Sequence, residues 1–309
     1  MFDLPQQDTP FALLQHAAFA NALAACGARP QTLDLPHPAL VLQRRIAGVL
    51  PLAMLARVTL APADFAALPD ALRAAGLARR LLIISPDHPA PWLGETGAVA
   101  LMTPATTAEL RLDQSPDAMR RAMHQKWRNR LRHGEAAGIR VVRTPLPDRA
   151  DHPLLVADAQ QQRERGFRNW PAVLTLAYAR ANPKSAMLFT ALSGSDSVAQ
   201  MLFLRHGSGA TYHIGHITDR GKTLSAHNLV LWRAMTWLAK NGHTRLDLGT
   251  LDTANNPGLA HFKLGSGARP RQLGGTWGWW PPLGRSLRHL AALDRKNMCL
   301  RPLDSTPTP

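Results

Sequence analysis

Apolar residues at helical spacing are plainest after residue 115. Met119, Met123, Trp127 and Leu131 recur every four positions behind Ser115 and Pro116, which suit an N-cap and a first helical turn, so one long helix is predicted to end near Gly138. Its other faces carry Arg120, Arg121, Lys126, Arg128, Arg130 and Arg132. Before it, the pattern predicts a short helix over residues 11–25, strands over 39–45 and 49–56, and a helix over 62–75. Compact apolar runs at 81–85, 98–103 and 108–112, bounded by Pro and Gly, read as strands. After it come a strand at 139–143 and polar helical sequence up to Arg165. Strands at 186–192 and 198–205 flank a Ser-Gly-Ser-Asp turn, and a third at 211–217 completes a meander. A helix over 225–241 carries Leu231, Ala234, Met235 and Leu238 and is followed by Gly242 and a short strand at 246–248. Strand, crossover helix and strand in succession predict a mixed α/β sheet.

At 309 residues two domains are expected. The break is placed at the prolines near 145–150, giving residues 1–147 and 148–309, with a Ser/Thr/Pro-rich tail from Asp304 that is expected to fray. A hydrophobic share of 45% fits a globular chain with a sizeable core. The cysteines, Cys26 and Cys299, have no metal-ligand spacing, so neither a disulfide framework nor a metal site is expected. With no basic, apolar leader after Met1, and with residues 46–56 as the longest apolar stretch, the expectation is a cytoplasmic protein without membrane insertion.

Basic residues outnumber acidic ones by 36 to 21, a formal charge of +15 that favours anionic partners without choosing among them. Thirty of the 36 are Arg, so each retained Lys draws notice for its compact ammonium. Arg220, Gly221, Lys222, Ser225 and Ala226 link a strand to a helix N-terminus, where backbone N–H groups and two cations would suit a phosphate. The alternative is a solvated loop with a capping serine. The sequence is not a Walker loop, and His213-Ile214-Gly215-His216, although it spells a synthetase tetrapeptide, lies inside a predicted strand without its partner motif. Trp277, Trp279 and Trp280, next to Pro281 and Pro282, are expected to pack across a sheet or form an interface rather than stack on bases.

Three further segments occur in order: Lys126-Trp127-Arg128 through Leu131, then Asp247-Leu248-Gly249, then Gly258-Leu259 leading to Phe262-Lys263 and Gly267. Together they resemble the FemAB-like and BioF2-like branch of the GNAT acyltransferases, over roughly residues 115–280. The resemblance implies an α/β (α+β) fold of tandem GNAT-like domains, each a mixed, mainly antiparallel sheet flanked by helices. It implies transfer of an acyl group from acyl-CoA, acetyl-CoA for instance, to a small-molecule or peptide amine, with no metal. It also places Lys263 at the reaction centre, where an ammonium would stabilise the tetrahedral oxyanion. His216, Asp247 and Asp252, at strand ends, are candidate bases for the amine, with His216 ranked first. Lys126, Trp127 and Arg128 would clamp a phosphorylated substrate, or else form an apolar stripe with a solvated basic face. The pyrophosphate loop of ordinary GNAT enzymes has as its nearest equivalent Lys222-Thr223-Leu224-Ser225-Ala226, with Ser in place of the first glycine. Two other readings stand beside this one: a FemAB-type transferase that uses aminoacyl-tRNA on a cell-wall precursor, and a basic nucleic-acid-binding protein that uses the helix after residue 115.

Overall fold

The computed structural model describes residues 12–46 and 48–284. The start of the first predicted helix at Phe11, Cys299 and the tail from Asp304 lie outside the described residues. In chain order the elements begin with α1 (Ala17–Ala25), β1 (Gln31–Leu33), β2 (Ala39–Ile46), β3 (Leu50–Val58), α2 (Pro62–Ala74), β4 (Leu81–Pro86) and β5 (Val99–Met102). Then follow β6 (Thr106–Arg111), α3 (Pro116–Ala122), α4 (Gln125–Ala136), β7 (Arg140–Pro145), α5 (Pro153–Arg165) and α6 (Ala172–Ala181). The meander is β8 (Ala186–Ser193), β9 (Asp196–His206) and β10 (Gly209–Ile217). Last come α7 (Asp219–Thr223), α8 (Ala226–Lys240), β11 (Arg245–Thr250), α9 (Pro257–Gly265), β12 (Arg269–Gln272) and β13 (Thr276–Trp279).

Two mainly antiparallel sheets result, each flanked by helices. Seven strands in the order β12-β6-β11-β10-β9-β8-β7 form one, and six in the order β1-β2-β3-β4-β13-β5 form the other. Each contains one parallel pair joined through a helix: β10 with β11, and β3 with β4. The chain accordingly gathers into two compact units, one holding the described residues up to Pro30 with Ala105–Gln272, the other Gln31–Pro104 with the described residues from Leu273. A division at residue 147 would cut β6 out of the seven-stranded sheet, where it lies between β11 and β12. Sequence order misleads here because β6 and β13 each pair with strands far away along the chain.

The long helix predicted from residue 115 is two helices. Met123 and His124 are extended, His124 Nδ1 caps the Lys126 N–H, and the His124 N–H donates to the Gly265 carbonyl at 2.9 Å. Tertiary bonding to α9 outweighs the local helical pattern, although the apolar stripe of Met119, Met123, Trp127 and Leu131 still faces one core.

In the larger unit each face of the sheet is covered. Trp127, Leu131, Phe189, Phe203, Leu229 and Met235 belong to a cluster built around α8, while Leu154, Leu176, Tyr178, Leu202 and Ile214 form a second one under α1, α5 and α6. Removing each such side chain from water contributes roughly 1.5–3 kcal/mol before entropy is counted. Tyr178, fully buried, donates its hydroxyl to the Arg205 carbonyl at 2.6 Å, so its polar atom is satisfied. The smaller unit has its own core, with Leu55, Leu68, Ile84 and Trp279. Trp279 thus packs inside the unit as β13 enters between β4 and β5, Trp277 packs partly buried against the same core, and Trp280 is exposed.

Candidate functional site

Parallel strands send their following segments to the same end of a sheet, and in the larger unit this places α8 and α9 together. Pairing of β10 with β11 covers only Gly209–Thr211 against Arg245–Asp247. Beyond it, β10 carries a bulge at Tyr212–Ile214 and β11 shifts register against β6 between Asp247 and Thr250. The two strands therefore part at their carboxyl ends, and β10 residues from Tyr212 onward have no ladder partner in β11.

At the end of β11, the Asp247 carboxylate accepts the Gly249 N–H at 2.7 Å, and Gly249 turns the chain with φ of 79°. A Cβ there would lie 3.7 Å from Lys263 Nζ, an ordinary contact, so glycine is favoured by the positive φ of the turn that runs beside the ammonium. Lys263, only 5% exposed, donates to the Thr250 carbonyl at 2.8 Å. Burial pulls its pKa from 10.5 down to about 8, with the charge of Asp247 opposing the fall.

Next to Lys263, the Phe262 ring lies between two helices, 6.0 Å from the Trp127 ring on α4 and 6.1 Å from the His227 ring on α8. Trp127 Nε1–H donates to the Phe262 carbonyl at 3.1 Å. A Cβ on Gly265 would come within 2.9 Å of Trp127 Cδ1, so only glycine allows α9 to approach α4 this closely. Of the three segments that carry the sequence resemblance, the one on α9 therefore touches both of the others. Phe262 belongs with Lys263 to one of those segments, whereas His227 escaped the sequence reading; a glycine at the last helical position of α9 was the available signal that this helix packs closely.

The expected anion-binding residues sit less simply. Thr218 caps α7, a single turn, and Gly221 passes so close to β9 that a Cβ would meet the Val198 carbonyl at 2.2 Å. Arg220 pairs with Asp196 at 3.5 Å and donates to Ser193, and Lys222 pairs with Asp219 at 2.8 Å, all four charged groups being exposed. The cations thus already have partners. Ser225 adopts a left-handed conformation with φ of 54° and no side chain caps α8. Ala226 is the buried first residue of that helix. In the smaller unit the equivalent helix, α2, is closed by a carboxylate. Asp64, buried, accepts the Ala61 and His37 N–H groups at 2.7 and 2.8 Å, leaving a negative charge where an anion would have to sit.

Of the candidate bases, His216 is bonded through Nδ1 to Gln161 of α5 at 3.3 Å, and its carbonyl accepts His227 Nε2–H at 3.0 Å. Burial holds His227 neutral, down to about 4. Asp252 is exposed and accepts the Asn255 N–H at 2.8 Å; these bonds hold its pKa below the usual carboxylate value and make it a turn-forming group ahead of α9. His213 is bonded to Thr175 at 2.9 Å, and burial lowers it to about 3, so it is a packing residue. Arg128 donates to the carbonyls of Arg121 and Met123 at 3.0 and 2.6 Å and so closes the end of α3, while Lys126 is exposed and Trp127 is core. That trio is not gathered into a clamp.

Residues 118–264 match the family described as an acetyltransferase (GNAT) domain. The larger unit thus carries a GNAT domain. Among curated proteins no sequence matches. Among solved structures, the chain is similar to FemX, at 14% identity and a TM-score of 0.70 over 88% of this chain and 93% of that one. It is also similar to L-PGS from Bacillus licheniformis, at 13% identity and a TM-score of 0.54 over 94% and 98% of the two chains. The C-terminal domain of a putative lysylphosphatidylglycerol synthetase from Agrobacterium fabrum aligns at 13% identity and a TM-score of 0.52, over 91% and 92%. These likenesses are of fold: two mainly antiparallel sheets flanked by helices, shared with FemX over most of both chains. No group of residues able to hold a metal, and no helix long and apolar enough to cross a membrane, occurs among the described residues.

Proposed function

We propose that this GNAT protein transfers an acyl group from a thioester, acyl-CoA, to an amine, with the chemistry at the parted ends of β10 and β11 in the larger unit. One observation carries the reading: the buried ammonium of Lys263 lies beside Gly249 and Thr250 at the end of β11, on the helix whose Phe262 touches the first turn of α8. The amine attacks the acyl carbonyl, the oxyanion gains the Lys263 ammonium, and the thiolate leaves with the electron pair of the C–S bond. A positioned donor of this kind is worth roughly 3 kcal/mol. The uncapped start of α8, together with Arg220 and Lys222 where their carboxylate partners yield, would hold the donor's phosphates, and the open edge of β10 would receive its amide-bearing arm. His216 is the base in this account, because the carboxylates of Asp247 and Asp252 are both engaged by backbone N–H groups of their own turns. The smaller unit, with Asp64 at the corresponding helix start, supplies no second donor site.

Thiol release from a panel of acyl-CoA donors, with small amines and peptides as acceptors, tests the reading alongside thermal shift with CoA. Turnover that collapses in Lys263→Met supports it; a chain indifferent to CoA in both assays overturns it. The likeness to FemX favours a second donor, aminoacyl-tRNA, as the FemAB resemblance implies. Activity destroyed by ribonuclease and absent with acyl-CoA would establish that donor instead.

A further inference from the structure

At the other end of α8 from Lys263, the helix and the edge strand β7 border a groove of about 320 Å³. Its rim is basic and its floor apolar. Arg143 of β7 and Arg233 and Lys240 of α8 line it with Val141, Phe189 and Trp237, and no carboxylate lines it. Arg233 and Lys240 are seven residues apart on one helix face, roughly 10 Å along the axis. Among the described residues, none of these three cations has an ion-pair partner or donates a side-chain hydrogen bond, whereas Arg220 and Lys222 are paired.

The arrangement also concentrates like charge. The guanidinium of Arg143 lies 4.5 Å from the centre of the Trp237 ring and that of Arg205 5.1 Å from it. Arg205 is pinned by donating to His243 Nε2 at 2.8 Å and to the Lys184 carbonyl at 3.1 Å, so it cannot swing away from its neighbour. Its own pKa is lowered, first by burial and then by the charge of Arg143. The Trp237 carbonyl, which could repel an anion, is occupied by the N–H and side-chain amide of Asn241. Three unpartnered cations around one small concavity fit a single compact polyanion. A volume of this size lies at the small end of ligand pockets. With guanidinium groups already stacked on Trp237, the groove offers that indole to no base.

We propose that this groove binds an oligophosphate group, either inorganic (pyrophosphate, tripolyphosphate) or the phosphate tail of a nucleotide. Each cation contributes charge-assisted bonds, and the binding weakens with salt. The site is independent of the acyl-transfer reading.

Isothermal titration of the full chain at low ionic strength, with tripolyphosphate, with ATP and with a short single-stranded RNA, tests it. The expected result is one-to-one binding of tripolyphosphate that weakens by at least about tenfold in the variant carrying Arg143→Gln, Arg233→Gln and Lys240→Gln. Lys240→Gln alone, an exposed change at the helix end, is expected to weaken it by about threefold in a chain with unaltered thermal unfolding. Equal affinity for tripolyphosphate and ATP identifies the phosphates alone as the recognised group; a clear preference for ATP identifies a nucleotide. The proposal is overturned if tripolyphosphate does not bind, if the triple variant binds it as well as the wild type, or if only the RNA binds.

Discussion

Lys263→Met separates what the buried ammonium costs the fold from what it does at the proposed site. Methionine keeps the length of the side chain and removes its charge. Lys263 has its pKa lowered from 10.5 to about 8 by burial, so below pH 8 the folded chain carries an ammonium that water would hold more comfortably. At about 1.4 kcal/mol per pH unit this penalty is about 3 kcal/mol, present in full below pH 8 and relieved as pH rises toward 10.5, because over that window the unfolded chain binds the proton and the folded chain does not. Against it stands the hydrogen bond to the Thr250 carbonyl, worth about 1 kcal/mol net. The variant should therefore be more stable than the wild type at pH 7 by about 2 kcal/mol, with the difference shrinking or reversing by pH 10. Denaturant unfolding of both chains at pH 7, 8.5 and 10 measures this without any knowledge of substrate, and taking the difference cancels the titration of other groups. If the two stabilities run parallel across that range, the ammonium is solvated and the argument for an oxyanion donor fails with it.

Further outcomes follow from other contacts. Gly265→Val places methyl groups where Trp127 already sits and should destabilise by about 2 kcal/mol in chemical denaturation, and it should reduce turnover because α9 carries Lys263. Burial lowers His227 from 6.5 to about 4, so it favours the folded state fully above pH 6.5 and loses that contribution as pH falls toward 4; wild type should lose about 3 kcal/mol more than His227→Gln over that interval in urea titrations. Asp64→Ala removes the acceptor of two backbone N–H groups and should lower stability by about 2 kcal/mol, as read from the thermal midpoint, with acyl transfer retained at temperatures where the smaller unit stays folded.

Helices and strands with local signals were legible from residues alone. The helix α2 came from its apolar pattern, the β8–β10 meander from its turn, and α8 from its periodicity and Gly242. What escaped was set by distant partners. The stripe through Met123 reads as unbroken helix, yet the backbone leaves it there to donate to Gly265, more than a hundred residues later. The strand β13, only four residues long, has sheet neighbours on both sides but no alternation strong enough to announce it. At the site, Lys263, Asp247 and Trp127 could be singled out through the family resemblance, and the structure brings their segments together. The engagement of Arg128 by the end of α3 and of Asp252 by its own turn could not be foreseen, since side-chain hydrogen bonds leave no periodic trace.

The placement of β13 between β4 and β5 bears on how the chain emerges from a ribosome. Five strands of the smaller unit, β1 to β5, are made by Met102, but it lacks an interior strand until residues 276–279 have been made, by which time every described element of the larger unit already exists. A nascent chain must therefore carry the unfinished apolar sheet of Leu55, Ile84 and their neighbours while residues 105–272 are made, exposed to aggregation or chaperone capture. Translation that stops short of Thr276 leaves that sheet without its interior strand.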